Sequence, residues 1–165
     1  MKTLIVYYSM EGNTDYMASR IAEKTDADLL RLEPVKAYHD KGFLKFVWGG
    51  KSAVMEEKPE LKPYDADLSA YDRIIFGSPV WAANVTPPLR TFMADNKEAL
   101  DGKKFAAFVC EAGSGGEKAL EKLGRLISPG GADVFDASVI FIDPKNKPSE
   151  KNEKKLEVFL SLLGE

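Results

Sequence analysis

The chain has 165 residues, of which 44% are hydrophobic and 30% charged, a composition that excludes a disordered or fibrous chain. Its length suits one domain whose core buries roughly two thirds of the unfolded surface. Twenty-three basic against 26 acidic residues leave a net charge of −3, without the basic excess of a nucleic-acid-binding protein.

A lone cysteine, Cys110, cannot form an intrachain disulfide, and a lone histidine, His39, cannot build a multi-histidine metal centre. No apolar run approaches the ~20 residues needed to span a bilayer. The opening Met1–Ser9 lacks the small-residue cleavage site of a signal peptide. A cytoplasmic protein is expected, with no metal, no nucleic-acid partner and no membrane contact.

Leu4 to Tyr8 is a continuous apolar and β-branched run, which predicts a strand buried on both faces. Thr14 to Lys24 reads as a helix with Met17, Ala18, Ile21 and Ala22 inward. Leu29 to Leu32 is a short second strand stopped by Pro34, and Arg73 to Gly77 is a third. Thr86 is placed to cap a helix with Pro87 at its first position, and Leu89, Phe92, Met93 and Leu100 face inward. Lys104 to Cys110 is the fourth strand, followed by a helix with Leu120, Leu123 and Ile127 on one face. Val134 to Ile142 is the fifth, and Ser149 opens a last helix with Leu156, Phe159, Leu160 and Leu163 at helical spacing. Apolar strands alternating with helices predict a doubly wound α/β fold, a parallel sheet with helices on both faces and right-handed crossovers.

The connection between the second and third strands is longer than one crossover helix requires. Gly42 to Gly50 reads as a helix stopped by Gly49 and Gly50, and Pro59, Pro63 and Asp65 mark loop. Residues 34 to 64 are therefore an elaborated connection within a single domain spanning 1–165. His39 beside Asp40 reads as a solvated pair, and Phe43, Phe46 and Trp48 as packing residues. Cys110 reads as packing too, and Lys145 to Glu157 as loop and exposed helix face.

Three loops follow strands at the carboxyl edge of the predicted sheet, where such folds bind ligands. Ser9-Met10-Glu11-Gly12-Asn13-Thr14 combines hydroxyls, a glycine and an asparagine just before a helix whose free N–H groups suit a phosphate. It holds no lysine, so it is not an ATP-type phosphate loop. Gly77 to Thr86 offers the flat apolar ring of Trp81 beside Pro79, suited to stacking on a planar system. Glu111-Ala112-Gly113-Ser114-Gly115-Gly116 lets backbone amides approach a ligand closely.

Together these residues resemble the flavodoxin and flavodoxin-like FMN-binding family over nearly the whole chain apart from 34–64. Ser9, Gly12, Asn13 and Thr14 match the family's S/T-x-T-G-N-T phosphate loop. Gly77-Ser78-Pro79-Val80-Trp81 looks like its second flavin loop, with Asp67 to Asp72 as the lead-in. The resemblance implies a five-stranded sheet in the order 2-1-3-4-5, and flavodoxin is itself a standard example of a ligand at that sheet's switch point. It implies FMN as cofactor, held by Ser9, Met10, Gly12, Asn13 and Thr14, by Ser78, Pro79, Val80, Trp81, Ala82, Ala83 and Asn84, and by Glu111, Ala112, Gly113 and Gly116.

Three positions depart from the family. Glu11 stands where a hydroxyl is usual and must point to water to avoid repelling a phosphate. Ala82, Ala83 and Asn84 follow Trp81 where glycine would ease the peptide rotation that stabilises a one-electron-reduced flavin. A left-handed alanine costs about 1–2 kcal/mol, so that form is expected to be less stabilised here. No tyrosine lies between Cys110 and Arg125, so one ring face is expected to be open or covered by Trp48 or Tyr38.

The function implied is electron transfer between redox partner proteins, by a monomer or weak dimer. The alternative is an FMN-dependent NAD(P)H:quinone-type reductase acting on a small quinone or nicotinamide substrate. A hydrolase built on Ala112-Gly113-Ser114-Gly115-Gly116 fails, because His39 precedes Ser114 and breaks the elbow-type triad order. A phosphoacceptor module fails because Tyr8-Ser9 and Gly77-Ser78 stand where acidic residues are needed.

Overall fold

A computed structural model describes residues 1–38, 51 and 56–164. Five strands, β1 (Thr3–Tyr7), β2 (Asp28–Arg31), β3 (Arg73–Pro79), β4 (Lys104–Glu111) and β5 (Phe135–Ile142), form one sheet in the order β2-β1-β3-β4-β5. Every neighbouring pair is parallel. The helices are α1 (Asn13–Thr25), α2 (Pro87–Asp95), α3 (Lys97–Leu100), α4 (Gly116–Arg125) and α5 (Glu150–Leu163), with short 3₁₀ turns at Leu68–Ala70 and Gly131–Val134.

Alternate side chains of the central strands go to opposite faces, and each face has its own core. On one side Leu4, Val6, Ile74, Phe76, Ala107 and Val109 pack against Leu89, Phe92 and Met93 of α2, Leu100 of α3 and Leu120 and Leu123 of α4. On the other, Ile5, Ile75, Ala106, Phe108, Val139 and Phe141 pack against Met17, Ala18 and Ile21 of α1 and Leu156, Phe159 and Leu163 of α5. This is the doubly wound arrangement expected from the apolar runs.

Four local features differ from the sequence expectations. β2 is an exposed edge strand, with Leu29 44% exposed, because it has a neighbour on one side only. The helix expected to run on to Leu100 breaks at Asn96, whose side chain donates to the carbonyl of Phe92 at 2.8 Å. Thr86 sits at the N-cap of α2 but makes no side-chain cap; its hydroxyl lies 3.2 Å from that of Ser78. Ile127 lies beyond the end of α4 and is partly buried. Ser149 does cap α5, accepting from the N–H of Asn152.

The helix read over 42–50, the His39–Asp40 pair and the Phe43, Phe46 and Trp48 cluster lie outside the described residues. Among the described residues, no helix is long and apolar enough to cross a membrane.

The chain leaves β1 toward β2, then returns to build β3 on the opposite side of β1. The loops after β1 and β3 therefore diverge from adjacent strand ends and leave a crevice between them.

Candidate functional site

The first loop folds around one hydroxyl. Ser9 is 3% exposed, and its Oγ accepts from the N–H groups of Gly12 and Asp15, both at 3.2 Å. Gly12, at φ +95°, is the N-cap of α1 and has no side chain to cap the helix. Ser9 thus takes one orphan helix donor, while helix geometry leaves the N–H groups of Asn13 and Thr14 without intrahelical acceptors. These two amides, with the Thr14 hydroxyl and the positive end of the helix dipole, form an uncharged anion cradle. Arg31 braces the loop from β2, donating to the Ser9 carbonyl at 3.0 Å.

The second loop is a tight hairpin. Trp81 and Asn84 exchange backbone hydrogen bonds of 2.9 and 3.0 Å, with Ala82 and Ala83 between them at φ +50° and +55°. Both alanines thus sit in the left-handed region that a type I′ turn requires. The penalty expected to keep alanine out of that conformation is already carried by the fold. Asn84 is 2% exposed, and its side-chain oxygen accepts from the Val85 N–H at 2.9 Å and from the buried Arg90 at 2.8 Å. Ser78, fully buried, accepts from the Thr86 N–H at 3.0 Å. The ring of Trp81 meets Tyr8 edge to face at 5.7 Å and Tyr38 at 5.2 Å. Tyr38 thus comes from the long connection to the indole of Trp81 and is not among the residues that line the cavity on which the loops open. Burial raises the pKa of its phenol above the ordinary value.

The third loop is tied by its first residue. Glu111 Oε2 accepts from the Gly116 N–H at 2.8 Å. Gly115, at φ +101°, brings this loop against the second; a Cβ there would lie 3.0 Å from Ala83 Cα. Ala112, Gly113 and Ser114 are exposed, and no aromatic ring stands among them.

The three loops open on one cavity of about 200 Å³. Ten residues anticipated from the sequence line it: Ser9, Met10, Asn13, Thr14, Pro79, Val80, Trp81, Ala82, Glu111 and Ala112. Gly12, Ser78, Ala83, Asn84, Gly113 and Gly116 belong to the same loops but stand behind or beside the lining.

Glu11, Cys110, Asp143 and Pro144 also line it and were outside the predicted set. Glu11 is exposed yet lines the cavity. The Cys110 thiol is pushed up to about 12 by burial, against a smaller opposing effect of its hydrogen bond to Thr14, so it stays a neutral thiol. Asp143 and Pro144 gave no signal in the sequence, because they follow a strand whose register with β4 decides where they land.

FMN needs a site for a phosphate dianion and one for a flat apolar ring. Amides and hydroxyls supply the first, and Trp81, Pro79 and Val80 the second. Three carboxylates line the cavity: Glu111 accepts from the Gly116 N–H, Asp143 pairs with Lys145 at 3.0 Å, and Glu11 is exposed to water. The residues fit. At about 200 Å³ the cavity lies below the ~300–1,000 Å³ usual for ligand clefts and cavities, so it would enclose only part of an FMN.

Residues 2–134 match the family model described as Flavodoxin. The chain belongs to the flavodoxin family. Its fold is similar to that of a flavoprotein from Lactobacillus acidophilus solved in complex with FMN, at 23% identity, covering 93% of this chain and 97% of that one, with a TM-score of 0.68. It is similar to a flavoprotein from Bacteroides uniformis at 21% identity and a TM-score of 0.73, with 97% of each chain covered. An NADPH-quinone reductase from P. pentosaceus shares the fold at 15% identity and a TM-score of 0.56, covering 96% of this chain and 95% of that one. A single flavodoxin fold thus serves proteins with different names and roles.

Proposed function

We propose that this protein binds FMN in the cavity at the β1–β3 crevice and carries electrons between redox partner proteins. The observation that carries the reading is the meeting, on one cavity, of a lysine-free cradle at the α1 N-terminus with the indole of Trp81. Membership of the flavodoxin family and the FMN complex of the L. acidophilus flavoprotein support it.

Ser9, Asn13 and Thr14 would hold the phosphate, and Trp81 with Pro79 and Val80 would face the ring. Bound FMN supplies one- and two-electron chemistry at that ring. The chain's own part is to orient it and set its surroundings. The left-handed hairpin at Ala82 and Ala83 would present its peptide groups to the ring, and Asn84 anchors that hairpin through Arg90. The Cys110 thiol, neutral at ordinary pH, adds no charge to the cavity floor.

The second reading, a reductase of small quinones fed by a nicotinamide nucleotide, is favoured by one observation. Ala112, Gly113 and Ser114 are exposed, and this loop offers no ring to cover the cavity. A small planar molecule could then approach from that side.

Anaerobic reductive titration of the FMN-loaded protein separates the two. The carrier reading predicts a long-wavelength absorbance band that rises toward half-reduction and then falls. Direct bleaching without that band, with rapid NAD(P)H oxidation when a quinone is added, would overturn it in favour of the reductase.

A further inference from the structure

We propose that the β5–α5 loop, residues 143–147, is a fourth wall of the site, and that Asn146 is a positioning residue that holds the phosphate loop in shape for a phosphate monoester. The proposal rests on the FMN reading above. Asp143 and Pro144 line the cavity together with the three loops already described. The loop is joined to two of them. The Asp143 N–H donates to the carbonyl of Glu111 at 2.8 Å, and Asn146 Nδ2 donates to the carbonyl of Glu11 at 3.3 Å.

Asn146 also lies against Gly12. A Cβ on Gly12 would stand 2.9 Å from Asn146 Nδ2 and 3.3 Å from Oδ1. Gly12 therefore meets two demands, a positive φ at the start of α1 and room for the amide that covers it. Its own N–H goes to Ser9 Oγ, and the free amides of Asn13 and Thr14 follow directly. A shift at 11–12 would re-aim those amides.

The loop's backbone is unusual. Asp143, Lys145 and Asn146 have φ of +42°, +49° and +53°, a region most L residues avoid. Such backbone persists where surrounding contacts over-determine it, often beside ligands. Lys145 pairs with Asp143 at 3.0 Å, so the carboxylate on the cavity wall does not stand as an uncompensated charge against an arriving phosphate. The Asn146 amide bonds residue 11 and lies against Gly12, both in the phosphate loop, so its effect should follow the phosphate rather than the ring.

The test compares the ligand-free wild type with Asn146→Gly, which keeps the left-handed backbone without the amide, and with Asn146→Asp. Dissociation constants are measured for FMN and for riboflavin, which lacks the phosphate, by quenching of flavin fluorescence. Asn146→Gly should weaken FMN about three- to tenfold, in line with the loss of one neutral hydrogen bond. Asn146→Asp should weaken it further, since a carboxylate would face the Glu11 carbonyl. Riboflavin should change less than about twofold. Equal losses for both flavins, or no loss for FMN, would overturn the proposal. Amide hydrogen exchange of the ligand-free protein gives an independent arm: residues 11–14 should exchange faster in Asn146→Gly, and unchanged rates would overturn the positioning role. A wild type that bound neither flavin would defeat the FMN reading, while exchange would still decide whether Asn146 holds the loop.

Discussion

Ala82 and Ala83 occupy turn positions where glycine or asparagine is usual, at φ +50° and +55°. Each left-handed alanine costs about 1–2 kcal/mol relative to its preferred conformation. Ala82 is exposed, so its methyl group contributes little packing. Ala82→Gly should relieve that strain and give back about 0.4–1 kcal/mol through the freer unfolded chain. A net stabilisation of about 0.5–1 kcal/mol is expected, read as a rise of roughly 1–3 °C in the Tm of the ligand-free protein. A lower Tm would mean that the turn is held by contacts an alanine makes and a glycine cannot. At this scale Ser9, Asn13, Thr14 and Trp81 were legible because their chemistry is local, hydroxyls and amides before a helix and an indole beside a proline. Asp143 and Pro144 were not. They reach the cavity because Ile142 pairs with Glu111 in the β4–β5 register, a long-range fact that no local pattern records.

The elements follow the apolar pattern wherever a strand has neighbours on both sides. β1, β3 and β4 are buried along nearly their whole length, and each was visible as an unbroken apolar run. β2, Asp-Leu-Leu-Arg, is a short edge strand, and edge status depends on strand order rather than on composition. The break between α2 and α3 was hidden for a related reason: Leu89, Phe92, Met93 and Leu100 all face one core, so the periodicity survives the interruption. α4 carries a sharper constraint. Gly124 packs against the 3₁₀ turn, and a Cβ there would stand 2.0 Å from the carbonyl oxygen of Gly131, a backbone atom that cannot swing aside. Gly124→Ala should therefore destabilise the fold by about 1–3 kcal/mol or more, lowering Tm by roughly 3–10 °C. Thermal unfolding followed by circular dichroism checks it, and an unchanged Tm would show that α4 is not seated on that turn.

Across the whole molecule, one topological event places the site. The chain builds β2 on one side of β1 and β3 on the other, so the first and second loops part at adjacent strand ends. The third and fourth loops, after β4 and β5, close the crevice from the next positions along the sheet. The long connection is moored along α2 and its C-terminal end. Arg90 meets Glu56 at 3.3 Å, Thr91 donates to the Pro59 carbonyl at 2.7 Å and Asn96 to the Tyr64 hydroxyl at 2.7 Å. Arg90 also donates to Asn84, so a buried guanidinium joins that connection to the second loop. Burial lowers its pKa, yet it remains charged across the physiological range. The strand order and the two cores were readable from alternating apolar runs together with the family resemblance. This mooring was not, because Arg90, Thr91 and Asn96 look like ordinary helix-surface residues until the connection is laid over them.

The most direct test of FMN binding at this crevice is an amide ¹⁵N–¹H correlation spectrum of the ligand-free protein titrated with FMN. FMN bound at the β1–β3 crevice should give saturable shifts concentrated at residues 9–14, 79–84 and 111–116, with smaller ones at 143–146. The α1 amides of Asn13 and Thr14 should move far less when riboflavin replaces FMN. Saturable shifts elsewhere on the molecule, or none at all, would contradict binding at the crevice.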